Sequence, residues 1–117
     1  MKVFVNRTLS EHGVKMMEDA GIEVVQWEEK RDLSREELIS HCRDCNGLLS
    51  AGPNKIDRIF LNACAHLKVI ALHSVGFDHV DVAEATRLNI PVGNTPGVLS
   101  GATADTAFLL MLAASRK

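Results

Sequence analysis

Lys68-Val69-Ile70-Ala71-Leu72 runs into His73-Ser74-Val75-Gly76-Phe77-Asp78-His79-Val80, and Asp81-Val82-Ala83-Glu84 follows. The first segment is a short apolar run of strand length. The last resembles a capping box, with Asp81 as the cap and Glu84 at the third helical position. The loop between them therefore sits at the carboxyl end of a strand, where open α/β sheets place ligands. A loop containing Gly76 there can turn backbone N–H groups toward a small anion.

The same alternation extends in both directions. Apolar runs recur at Val3–Val5, Val24–Trp27, Leu48–Leu49 and Ile90–Val92, separated by helix-like stretches. Strands are predicted near residues 2–6, 23–27, 47–50, 68–72 and 91–93, with helices between them. Strand and helix in strict alternation predict a five-stranded parallel sheet covered on both faces, joined by right-handed crossovers. Ser34 precedes Arg35-Glu36-Glu37, which places Glu37 to complete a second capping box, with Leu33 and Leu38 as its hydrophobic staple. Ser10 can cap the first helix, with Leu9 and Val14 in the staple positions. Gly21 and Asn89 stand where helices stop, because both tolerate a left-handed backbone, and Pro91 prevents continuation. Two buried stripes are predicted: Ile56, Ile59, Phe60, Ala63 and Leu67, and separately Leu38, Cys42 and Cys45.

Composition narrows the function classes. The chain has 117 residues, 46% hydrophobic and 24% charged, the balance of one globular domain. A net charge of −2 gives no field for nucleic acid or anionic lipid. Ten of the acids lie in residues 1–50 and five beyond, and neither half is a basic arm. The longest apolar run, Ala107 to Ala114, is far short of a membrane span. Met1-Lys2-Val3-Phe4-Val5 is followed by charge at Arg7, which is not a signal-peptide pattern, so a cytoplasmic protein with reduced thiols is expected.

Several tempting motifs carry little. Cys42-Arg43-Asp44-Cys45 is a C-x-x-C at the end of a predicted helix, where the dipole disfavours a thiolate. His41 adds one further ligand, but no second pair completes a metal site, so buried structural thiols and no metal are expected. Ser74, Asp78 and His79 are neighbours in sequence, which is not how triads are assembled. No G-x-G-x-x-G occurs anywhere, so the dinucleotide fingerprint is absent.

Three pieces in order are specific: the loop Ser74-Val75-Gly76-Phe77-Asp78-His79, then Asn94-Thr95-Pro96-Gly97-Val98, then Thr103-Ala104-Asp105-Thr106-Ala107. Together with Lys2-Val3-Phe4-Val5-Asn6-Arg7 they resemble the D-isomer-specific 2-hydroxyacid dehydrogenase family, with the nearest look to its glyoxylate/hydroxypyruvate reductase branch. The resemblance covers essentially the whole chain. It implies a flavodoxin-like substrate domain over residues 1–98. Residues 99–117 are then the start of a long connecting helix toward a Rossmann coenzyme domain. The family's phosphate-binding glycines and its catalytic Arg, Glu and His lie later in its pattern, so no catalytic residue is assigned here, and His73 and His79 do not take those roles. Asp105 stands where the family usually has Glu.

What the resemblance implies residue by residue is limited. Val75 and Gly76 match the loop whose backbone N–H groups hold the substrate carboxylate. Ala51 and Gly52, after Ser50, match the loop lining the substrate pocket. Thr103 matches the helix start facing the nicotinamide; its plain alternative is a hydroxyl bonded to its own helix backbone. The expected activity is reduction of a small 2-keto acid, of glyoxylate or hydroxypyruvate type, with NAD or NADP. The parent enzyme is expected to be a homodimer, and these 117 residues alone to be inactive. A stand-alone flavodoxin-like binding module is the competing reading. For a phosphorylation receiver it lacks the acidic pair after the first strand, and for a flavin binder Thr8-Leu9-Ser10 is a thin phosphate loop.

Overall fold

A computed structural model describes residues 1–116. Five strands, β1 (Lys2–Val5), β2 (Glu23–Gln26), β3 (Gly47–Ser50), β4 (Val69–Leu72) and β5 (Val92–Gly93), form one sheet. Its order is β2-β1-β3-β4-β5 and every pairing is parallel. Each strand lies within a residue or two of the stretch that the apolar runs predict. The helices are α1 (Glu11–Asp19), α2 (Arg35–Cys42), α3 (Arg58–Ala63), α4 (Val82–Arg87) and α5 (Ser100–Ser115).

The local signals act as read at most helix ends. Ser34 accepts from the Glu37 amide while the Glu37 carboxylate accepts from the Ser34 amide, a complete capping box. Ser10 caps α1 through the Gly13 amide. Gly21 and Asn89 both adopt positive φ, 77° and 56°. At α4 the box is only half made. Asp81 accepts from the Glu84 amide, but the Glu84 side chain turns away to Asn62 and Arg87.

The core lies between the sheet and its covering helices, around Phe4, Leu38, Leu48, Phe60 and Ile70. The stripe through Leu38, Cys42 and Cys45 is buried as predicted. The other stripe needs correction. Ile59 is 60% exposed and Ala63 is exposed, while Leu61 and Cys64 take the buried positions beside Ile56, Phe60 and Leu67. Helix α3 has only six residues, so its buried face is set by how it lands on the sheet more than by a sustained period.

Glu84 is buried yet charged. Arg87 and Asn62 hold its oxygens at 2.6–3.0 Å, and Arg58 adds charge, keeping its carboxyl down at about 2 against an ordinary 4.5. This network joins α3 to α4. Because the folded-state value is depressed, the stabilisation is present above pH 4.5 and is lost as pH falls toward 2. Thermal melts across that window should show a falling midpoint, and Glu84→Gln should flatten the fall. An unchanged acid limb in the variant would refute the assignment.

Candidate functional site

The loop after β4 is held from three sides. The His73 amide donates to the Ser50 carbonyl at 2.9 Å, which fixes the exit from the sheet. Ile56 and Val80 form a parallel bridge, with the Ile56 amide on the His79 carbonyl and the Asp81 amide on the Ile56 carbonyl, which fixes the return. Between these anchors three consecutive carbonyls, those of Ser74, Val75 and Gly76, are tied individually. The Thr95 amide donates to the Ser74 carbonyl at 3.0 Å. Asn94 Nδ2 donates to the Val75 carbonyl, and the Ser74 hydroxyl to the Gly76 carbonyl, both at 2.8 Å. Among the described residues, the amides from Ser74 to His79 have no acceptor, and those of Val75 and Gly76 are the two whose own peptide carbonyls, Ser74 and Val75, are held from the segment after β5. Gly76 is exposed, and a Cβ there would meet only Asp78 Oδ2 at 3.7 Å, so the fold itself leaves room for a side chain.

The loop after β3 is built differently. Asn6, buried at the end of β1, accepts from the Ala51 and Gly52 amides at 2.6 and 3.1 Å and donates to Asn54 Oδ1 at 3.0 Å. Asn54 in turn donates to the Leu33 carbonyl. The Ala51 and Gly52 amides are therefore already engaged, and a ligand meets this loop only through its other atoms. Ala51 lines a cavity of about 630 Å³ at the carboxyl edge of the sheet, together with Arg7, Leu9, Met16, Leu49 and His73. Val75 and Gly76 are not among its walls, so the site residues form two adjacent patches on one edge. Thr8 and Ser10 spend their hydroxyl protons or lone pairs within the fold, on the Trp27 carbonyl and the Gly13 amide, which leaves little of a phosphate loop.

Thr103 lies in the first turns of α5 in a shallow groove with Ala102, Thr106, Ala107 and Leu110. Thr106 bonds back to the Ala102 carbonyl at 2.8 Å, whereas the Thr103 hydroxyl has no partner among the described residues. The cysteines are buried free thiols, with contact to Cys64 and burial raising the Cys42 thiol and burial raising Cys45. No group of three or more His, Cys, Asp or Glu suited to a metal occurs among the described residues. Among those residues no helix is long and apolar enough to cross a membrane.

Asn6 and Asn94 organise the two loops; both stand in stretches that carry the family resemblance, which assigns neither of them a role. Each is a polar residue just beyond the end of an apolar strand, at the carboxyl edge. That position is the sequence signal that marks them.

Residues 3–115 match the family described as D-isomer specific 2-hydroxyacid dehydrogenase, catalytic domain. The chain belongs to this family. Glyoxylate reductase of Pyrococcus furiosus is 43% identical to this 2-hydroxyacid dehydrogenase domain over 115 residues, covering 98% of the chain and 34% of the relative. Glyoxylate reductase of Thermofilum pendens is 42% identical over 116 residues, with 99% and 34% covered. The chain thus spans about a third of the length of the curated relatives it matches. Among solved structures, a protein from Thermus thermophilus superposes with a TM-score of 0.87 at 38% identity, covering 97% of this chain and 36% of that one. The NAD+-bound 3-phosphoglycerate dehydrogenase of Entamoeba histolytica superposes at 0.77 with 29% identity, covering 95% and 38%.

Proposed function

We propose that this chain is the substrate-side part of an NAD(P)-dependent reductase that converts a small 2-keto acid, of glyoxylate or hydroxypyruvate type, to the D-2-hydroxy acid. In this reading residues 1–98 are the substrate domain, and residues 99–117 lead toward a coenzyme domain. The observation that carries it is in the loop after β4, where Thr95 and Asn94 hold the Ser74 and Val75 carbonyls and so fix the peptide units whose unpartnered amides belong to Val75 and Gly76. Two amides converging on a carboxylate form charge-assisted hydrogen bonds that fix one end of the substrate. Ala51 lines the cavity at the neighbouring strand end, and Gly52 follows it outside the cavity walls. The names of the relatives, glyoxylate reductase above all, support the substrate class.

The described residues fit only one flank of a nicotinamide cofactor. Thr103 has a free hydroxyl on an exposed groove, but no glycine-rich turn is present to cradle a pyrophosphate. Hydride donation therefore lies outside what these residues do, and their part is to bind and orient the keto acid. Orientation is a large share of such catalysis, so these residues alone are expected to give no turnover.

Amide-resolved NMR of the 117-residue chain tests the reading. Glyoxylate should shift the Val75 and Gly76 resonances in a saturable way that matched chloride does not reproduce. Shifts elsewhere with these two silent would overturn it.

A further inference from the structure

We propose that Asn94 is a positioning residue that aims the Gly76 N–H into the carboxylate cradle; this rests on the reading of the loop after β4 given above. A trans peptide unit is planar, with its C=O and N–H directed oppositely. Fixing the carbonyl of one unit therefore fixes the direction of its amide. Asn94 Nδ2 holds the Val75 carbonyl at 2.8 Å, and the amide of that same unit belongs to Gly76. The unit before it is held by a different group. There the Thr95 amide bonds the Ser74 carbonyl at 3.0 Å, which aims the Val75 amide. The two donors of the cradle are thus set independently by consecutive residues that follow β5. A glycine needs such a tether most, since it has no Cβ to restrict its backbone. Gly76 has open space around its Cα, with Asp78 Oδ2 at 3.7 Å from an ideal Cβ, so packing does not orient the unit. The Ser74 hydroxyl on the Gly76 carbonyl fixes the unit that follows and does not substitute for Asn94.

The division of labour gives a residue-specific test. In the 117-residue chain, titration with glyoxylate should move the Val75 and Gly76 amide resonances of the unaltered protein. Asn94→Leu should raise the glyoxylate Kd about fivefold or more and abolish the Gly76 response while the Val75 response persists. Asn94→Gln, which keeps a donor, should restore the Gly76 response. Where Leu disturbs β5, seen in the Val92 and Gly93 resonances, Asn94→Asp removes the donor in the same shape. Charge repulsion alone weakens both amides equally, whereas loss of aim falls on Gly76 first. An equal effect on both, or a full Gly76 response in Asn94→Leu, overturns the proposal with the cradle intact. Silence of both amides in the unaltered protein means instead that the cradle reading itself fails.

Discussion

Replacing Asn6 with Ala is expected to destabilise the chain by about 3 kcal/mol, measured as a loss of unfolding free energy in urea. Asn6 is 2% exposed and serves three partners at once, the Ala51 and Gly52 amides and the Asn54 side chain. Truncation leaves the two loop amides beside a void, and an unmet buried donor costs about 1–3 kcal/mol. It also releases Asn54, which ties the same loop to the Leu33 carbonyl. Asn6→Asp keeps the acceptor for both amides and loses only the donation to Asn54, so its cost should be smaller. Amide exchange at Ala51 and Gly52 should quicken in the Ala variant. A loss under about 1 kcal/mol would mean that the loop after β3 is held by other contacts.

Asn6 also marks where legibility ended. The strands, their parallel pairing and the helix starts at Ser10 and Ser34 followed from short-range patterns, because caps and apolar runs act over a few residues. The half-made box at Asp81 failed because Glu84 found stronger partners across the fold, in Asn62 and Arg87, which no local pattern contains. Ile59 failed for a related reason, since the tilt of a six-residue helix on the sheet is a tertiary outcome. The loop carrying Val75 and Gly76 was legible as a position on the carboxyl edge. That its carbonyls are tied one by one from Asn94, Thr95 and Ser74 was not, because two of those partners lie about twenty residues on.

The second large effect concerns α5. Phe108, Leu109, Leu110, Met111 and Leu112 are each 47–64% exposed, and no residue of the helix is buried. Apolar side chains run around the whole circumference, the pattern of a helix covered on all sides. Val98 and Leu99 extend the exposed surface to its start. Left uncovered, a patch of this kind drives association. Light scattering on the chain alone should therefore give a molar mass well above 12.8 kDa. Paired substitutions Leu109→Glu and Met111→Lys should return it to the monomer value without altering the melting of the sheet domain, since α5 adds nothing to its core. A monodisperse monomer for the unaltered chain would show that the exposed helix is tolerated as it stands.

The central claim, that the loop after β4 receives the carboxylate of a keto acid, is tested most directly in a working enzyme. Residues 1–117 can replace the matching third of Pyrococcus furiosus glyoxylate reductase, to which they are 43% identical. In that chimera Gly76→Val should raise the KM for glyoxylate about tenfold or more and leave the KM for the nicotinamide cofactor unchanged. The fold has space for the added Cβ, so the cost should fall on the approach of the substrate. A glyoxylate KM unmoved by Gly76→Val, in a chimera that turns over, would contradict the account.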